Sequence, residues 1–285
     1  MAFEVVGRED ELASVAAFVD EARDGPVALV LDGEAGIGKS TLWLAGVEHA
    51  RTQGLGVLSA RPAEAESSLA YVGLGDLFED VLDDVLPALT PPRRRALEIA
   101  MLRDEASGER LDDRALAVAV RDVLELLGEH GRILLAVDDV QWLDLSSSSA
   151  LAFALRRLKG SQVLVLLARR PAGEAGAPGL EQALAADRVQ RLPVGPLSIG
   201  ALHSVLRDRL GRSFARQTLL RIHDRSGGNP FFALELARAL EADVDRLEPL
   251  PVPETLEEVS HRARHTAPTL PRALSPESRP TLGGS

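Results

Sequence analysis

Three glycines and a lysine give the chain its first chemical reading. Gly33-Glu34-Ala35-Gly36-Ile37-Gly38-Lys39-Ser40-Thr41 fits G-x-x-x-x-G-K-[ST], a spacing in which successive backbone N–H groups curl around phosphate oxygens. Lys39 is one of only two lysines, the other being Lys159, so the match owes little to composition. Its ammonium suits β- and γ-phosphate oxygens, and the Ser40 hydroxyl suits Mg²⁺. Gly33, Gly36, Gly38, Lys39, Ser40 and Thr41 are therefore the expected phosphate contacts. The bland alternative is a Gly-rich turn with no ligand. The flanks argue against it: Val27–Leu31 reads as a buried strand and Ser40–Ala50 as a helix, whose positive end adds to the attraction for anions.

A second chemical set closes another apolar run. Ile133–Val137 is followed by Asp138-Asp139. Magnesium takes hard oxygen ligands and keeps few from the protein, so Asp138 is the expected metal ligand with Ser40. Asp139 is expected to orient or polarise an attacking water. Alone, the pair reads equally well as surface acids at a strand end; the phosphate loop upstream favours the functional reading. An aspartate is one methylene shorter than a glutamate, which points to slow turnover. Arg169 ends the next apolar run. A guanidinium there reads a γ-phosphate, or it is an exposed arginine beside a turn; both readings stand. Asp144 reads as a helix cap. Asn229-Pro230 has the residue types of a helix start, and its functional reading sets this turn against adenine.

These groups need elements to carry them. Helical spacing runs over 8–23, ended by Gly25-Pro26. Residues 56–60, 133–137, 163–167 and 189–194 read as further strands. The stretch 69–103 is mostly helical, interrupted by Pro87 and by Pro91-Pro92. A strong amphipathic helix covers 112–127, with Asp112 or Asp113 as cap and Gly128 just past its end. Residues 146–158 are helical, and 172–180 form a mobile Gly, Ala and Pro loop. From 198 the pattern is purely helical: Ser198 to Gly211, about 214 to 225, and a third helix after Asn229-Pro230. Strands alternating with helices imply a parallel sheet covered on both faces, with ligands beyond the carboxyl ends of its strands. The phosphate loop, the acid pair and Arg169 all fall at such ends. The expected organisation is an α/β core over 1–195, a small helical subdomain over 196–250 and a disordered tail over 251–285, whose composition cannot bury enough apolar surface to order it.

Composition excludes much else. The 285 residues are 45% hydrophobic and 26% charged, with a net charge of −11 and no cysteine. Disulfides and thiolate chemistry are out, and an acidic chain does not grip nucleic acid by bulk charge. Arg93-Arg94-Arg95 is the one tight basic cluster and reads as a solvated helix face. The six histidines show no metal-ligand spacing. No run is long enough to span a bilayer, and the first residues lack signal-peptide character, so the expected location is the cytoplasm.

Taken together, the motifs resemble the ATP-binding region of large LuxR-type transcriptional regulators, members of the STAND class of P-loop NTPases. Val6-Gly7-Arg8-Glu9-Asp10-Glu11-Leu12 looks like the entry motif of AAA-like ATPases. Gly33–Thr41 and Asp138-Asp139-Val140-Gln141-Trp142-Leu143-Asp144 are very like the family's two nucleotide motifs. Leu167-Ala168-Arg169-Arg170-Pro171 is similar to its sensor strand. Ser226-Gly227-Gly228-Asn229-Pro230-Phe231-Phe232 resembles its lid motif, and Val252-Pro253-Glu254-Thr255-Leu256 its link to a winged-helix segment. The resemblance spans about residues 3–258. It implies an AAA/STAND-type parallel-sheet core with a helical lid, ATP or ADP with Mg²⁺ as cofactors, and Arg8 and Pro230 bordering the adenine.

The resemblance further implies a slowly hydrolysing switch. It responds to a small-molecule or protein inducer and can self-associate. The helix-turn-helix output of the family has no counterpart in the sequence, so no direct DNA binding is expected; a truncated member, a fragment or a frameshifted product would each account for that. The alternative is a stand-alone AAA-type ATPase that remodels a protein partner with fast turnover and an arginine finger from a neighbouring subunit.

Overall fold

The computed structural model describes residues 5–21, 24–103, 111–160, 162–171 and 179–242. The expectations for the loop at 172–178, the link at 252–256 and the tail from 251 lie outside the described residues. The chain divides into two compact units, Met1–Ala237 and Arg238–Ser285. Of the second, only the last turn of one helix is described.

Five strands form one parallel sheet: β1 (Val27–Asp32), β2 (Gly56–Ala60), β3 (Ile133–Val137), β4 (Val163–Arg169) and β5 (Val189–Pro193), ordered β2-β3-β4-β1-β5. From β1 the chain runs to the far edge and returns strand by strand until β4 lies against β1. It then steps over to β5. This order brings the carboxyl ends of β3, β4 and β1 side by side, although their sequences are more than a hundred residues apart at the extremes.

The continuous apolar runs resolve into two faces by strand parity. Ala28, Val30, Leu135, Val137, Val165 and Leu167 face one core. That side is covered by α3 (Val72–Phe78), α4 (Leu82–Val85), α5 (Pro91–Ala100), α6 (Asp113–Glu129) and α7 (Leu145–Leu155). Leu29, Leu31, Leu134, Ala136, Leu164 and Leu166 face the other, under α1 (Glu9–Asp20) and α2 (Lys39–Thr52). Gly46 of α2 makes that contact close: a Cβ there would stand 2.7 Å from Val15 and 2.8 Å from Leu166. Three helices follow the sheet: α8 (Ile199–Leu210), α9 (Arg216–Ser226) and α10 (Pro230–Ala242).

Several local expectations shift. The break expected at Pro91-Pro92 falls at Leu89-Thr90, and the pair opens α5, because a helix's first residues need no N–H partner. Gly128 lies inside α6, and the break comes at Gly131, whose φ of 154° a side chain would resist. The basic cluster is structural. Arg93 pairs with Asp122 at 2.5 Å, and Arg94 donates to the carbonyls of Leu86, Pro87 and Leu89. Membrane crossing gains no support: no helix among the described residues is long and apolar enough for it.

Asp144 does more than cap α7. Its carboxylate, 4% exposed, accepts from Ser147 N–H at 2.8 Å and also from Tyr71 N–H at 2.9 Å and Gly73 N–H at 3.0 Å at the start of α3. One buried charge thus closes two helix starts. Asp144→Ala should lower unfolding free energy by about 3 kcal/mol, measured by urea denaturation, with the loss well above that of a single exposed cap.

Candidate phosphate-binding site

The loop after β1 turns its carbonyls outward. Gly33 and Glu34 C=O both accept from the Lys39 ammonium at 2.8 Å. Ala35 C=O accepts from the Asn229 side chain at 2.9 Å, Gly36 C=O from Phe231 N–H at 3.4 Å, and Ile37 C=O from the Arg8 guanidinium at 2.9 Å. Each of the five successive carbonyls from Gly33 to Ile37 thus has a donor, while Gly33 N–H and Ile37 N–H are spent on Arg169 C=O and Glu34 C=O. The conformation needs glycine. Gly36 has φ 74° and Gly38 φ 111°, and a Cβ on Gly36 would sit 2.6 Å from Phe231 Cβ. Helix α2 starts at Lys39, and its first-turn N–H groups have no partners within the helix. The arrangement fits a polyphosphate.

The acids arrive from β3. Ser40 Oγ donates to Asp138 Oδ1 at 3.2 Å, and Arg61 Nε lies 3.6 Å from Asp138 Oδ2. Asp138 is 3% exposed. Burial raises its carboxyl above the usual range; the Asp139 charge adds to this, while the Ser40 hydrogen bond and Arg61 oppose it. Burial likewise lowers the Lys39 ammonium, with Arg170 pulling the same way against Asp139, Asp138 and Asp32. Both groups are held poorly solvated; an anionic phosphate would relieve Lys39, and a divalent cation would relieve Asp138. Among the described residues no cluster of three His, Asp or Glu could hold a metal unaided. A divalent ion here would rest on Ser40, Asp138 and phosphate oxygens, the sparse protein ligation magnesium favours.

The remaining site residues lie nearby in different roles. Thr41 N–H donates to Gly38 C=O at 3.2 Å within the turn. Arg8 is 5% exposed; besides Ile37 it binds Gly195 C=O at 2.5 Å and Glu11 at 2.7 Å. Its guanidinium braces the loop backbone and the exit from β5. Pro230 starts α10, and its turn rests on Ala35 and Gly36. Arg169 is half-buried and engaged. It donates to Asp32 at 2.5 Å and to Glu181, and Arg191 completes the network at 3.1 Å from Asp32. Burial works against the Arg169 charge, but the Asp32 hydrogen bond and the Glu181 and Asp32 charges hold its pKa above the ordinary value. Sequence reasoning missed the neighbours Arg61, Gln141, Asp32 and Glu181. Gln141 alone carried a local signal, lying two residues beyond the acid pair.

The AAA ATPase domain family matches residues 4–166, more than half of the chain and inclusive of the phosphate loop and both acids. The chain belongs to that family. No curated protein matches the sequence. The fold is similar to that of Aeropyrum pernix ORC1, solved in complex with DNA, at 17% identity and TM-score 0.50, over 91% of this chain and 65% of that one. A STAND protein with a tetratricopeptide repeat sensor from Pyrococcus horikoshii gives 16% identity and TM-score 0.49, over 94% of this chain and 34% of that one. The Thermotoga maritima RuvB R170A variant gives 15% and 0.46, over 85% and 64%. The chain thus spans about two thirds or less of each of these proteins.

Two outcomes follow from the geometry. Asn229→Ala removes a donor to Ala35 and an acceptor for Phe231 N–H at 3.1 Å, and should cost about 1–3 kcal/mol in chemical denaturation. Because the Lys39 ammonium is lost at lower pH than in free lysine, ADP affinity should fall with rising pH before the ordinary lysine value of about 10.4 is reached. Lys39→Met should bind weakly with no such slope in calorimetric titration.

Proposed function

We propose that this AAA ATPase domain is an ATP-binding, slowly hydrolysing switch module of a LuxR-type STAND transcriptional regulator. The observation that carries the reading is the seam between the phosphate loop and the helices after 196. Asn229 and Phe231 N–H bond to Ala35 and Gly36 C=O, and Gly7, at φ 71°, packs so closely on α8 that a Cβ would stand 2.2 Å from Ala201 Cβ. Any change in the loop on phosphate binding is felt directly at the turn before α10, within the 196–250 segment read as the lid.

In this reading Gly33, Gly36, Gly38, Lys39, Ser40 and Thr41 hold the phosphates, and Ser40 and Asp138 hold Mg²⁺. The ion, when bound, offsets charge on the phosphate oxygens. Asp139 orients the attacking water as its proton acceptor. Arg8 and Pro230 support the adenine side through the loop they brace. Arg169 serves the γ-phosphate only after leaving Asp32 and Glu181, which makes it a resting-state strut. A small-molecule or protein inducer would bias the lid, with self-association as a further output. The acidic net charge of −11 supports a reading without direct DNA contact by this chain.

Lys39→Ala should abolish measurable ATP and ADP binding in isothermal titration. Steady-state hydrolysis by the native chain should stay well below about one turnover per second. Unchanged affinity in Lys39→Ala would sink the site, whereas faster turnover would favour the partner-remodelling motor.

A further inference from the structure

Resting on the reading of Asp139 as the water-orienting acid, we propose that Gln141 is its positioning residue and wires it to the phosphate loop through one peptide group. Gln141 Nε2 donates to Asp139 Oδ1 at 2.8 Å. The same side chain's Oε1 accepts from Arg170 N–H at 3.3 Å. That N–H belongs to the Arg169–Arg170 peptide, whose C=O accepts from Gly33 N–H at 3.3 Å. The hydrogen bonds therefore run in one direction, from the first residue of the phosphate loop through the end of β4 to the carboxylate. A carboxamide is the side chain that donates at one end and accepts at the other, and bonds in such a chain strengthen one another.

The surrounding backbone holds Gln141 in register. Asp139 has φ 46° and ψ 50°, a left-handed conformation uncommon outside glycine, and its N–H donates to Asp138 Oδ1 at 3.1 Å. The tight turn that follows is closed by Trp142 N–H on Asp139 C=O at 2.9 Å. The Trp142 ring in turn lies 5.7 Å from the Arg170 guanidinium carbon, within cation–π range. Two adjacent side chains of one turn thus grip Arg170, by its main chain and by its side chain. Gln141 reaches no phosphate position in this scheme; it acts through Asp139.

The near-isosteric Gln141→Glu keeps the acceptor for Arg170 but loses the donor to Asp139. Single-turnover ATP hydrolysis should fall about tenfold or more, with ATP affinity by titration within about twofold of native. In an Asp139→Asn background, Gln141→Glu should cost no further rate, because the two act as a unit. In the ligand-free protein, the Arg170 amide proton should exchange faster in Gln141→Ala and at the native rate in Gln141→Glu. Native turnover in Gln141→Glu, losses that multiply with Asp139→Asn, or an Arg170 amide indifferent to Gln141→Ala would each overturn the inference. A native chain that binds no ATP, or an Asp139→Asn variant that hydrolyses normally, would overturn the reading of the site beneath it.

Discussion

A ribbon of five carbonyls that must each find a donor beside a helix start is the constraint on which this structure turns. Backbone amides can be offered to an anion only if the carbonyls of the same peptides find donors elsewhere. Here the donors come from three separate parts of the chain: Lys39 itself, Arg8 before the first helix, and Asn229-Pro230-Phe231 nearly two hundred residues later. Leaving one such carbonyl buried without a partner costs about 1–3 kcal/mol. The N-terminal motif and the α9–α10 turn are therefore parts of the phosphate loop in every respect except sequence.

That arrangement ties residues 196–237 to the loop and the sheet within one compact unit. Asn229 is 2% exposed and uses both ends of its amide, donating to Ala35 and accepting from Phe231 N–H. Gly228 approaches Leu197 C=O so closely that a Cβ would stand 2.7 Å away. Packed interfaces of this kind shift between discrete arrangements instead of deforming smoothly, a property suited to a nucleotide-dependent switch. At the other side of the loop, Arg169 is tied to Asp32 and to Glu181, which is 2% exposed. Arg191 stands beside the same two acids, 3.1 Å from Asp32 and 3.5 Å from Glu181, so both carboxylates keep a cation if Arg169 leaves.

Much of the fold was legible because the relevant signals are local. β1, β3 and β4 are continuous apolar runs, and all five strands fall within a residue or two of the expected spans. Ser198 and Asp112 cap the helices expected of them, and Gly211 closes α8 at φ 70°. The departure after α6 is also local. Gly128 reads as a stop just past a helix, but α6 runs on to Glu129, because a glycine near the end of a long amphipathic helix is tolerated when the buried face holds it. Asp144 was recognised as a cap for α7; its second role at α3 depends on a contact across 71 residues.

The sequence by itself determined the chemistry on offer: glycines where the backbone must curl, an ammonium and a hydroxyl beside them, and two carboxylates at the end of a buried strand. Residue type and spacing suffice there because each motif is built on one turn. Tertiary structure decided which groups those motifs meet. It set Arg8 and Asn229 behind the loop, committed Arg169 to Asp32 and Glu181, and laid Gln141 between Asp139 and the end of β4. Such pairings depend on strand order, which places β4 between β3 and β1, and strand order is a property of how separated segments bury their faces together.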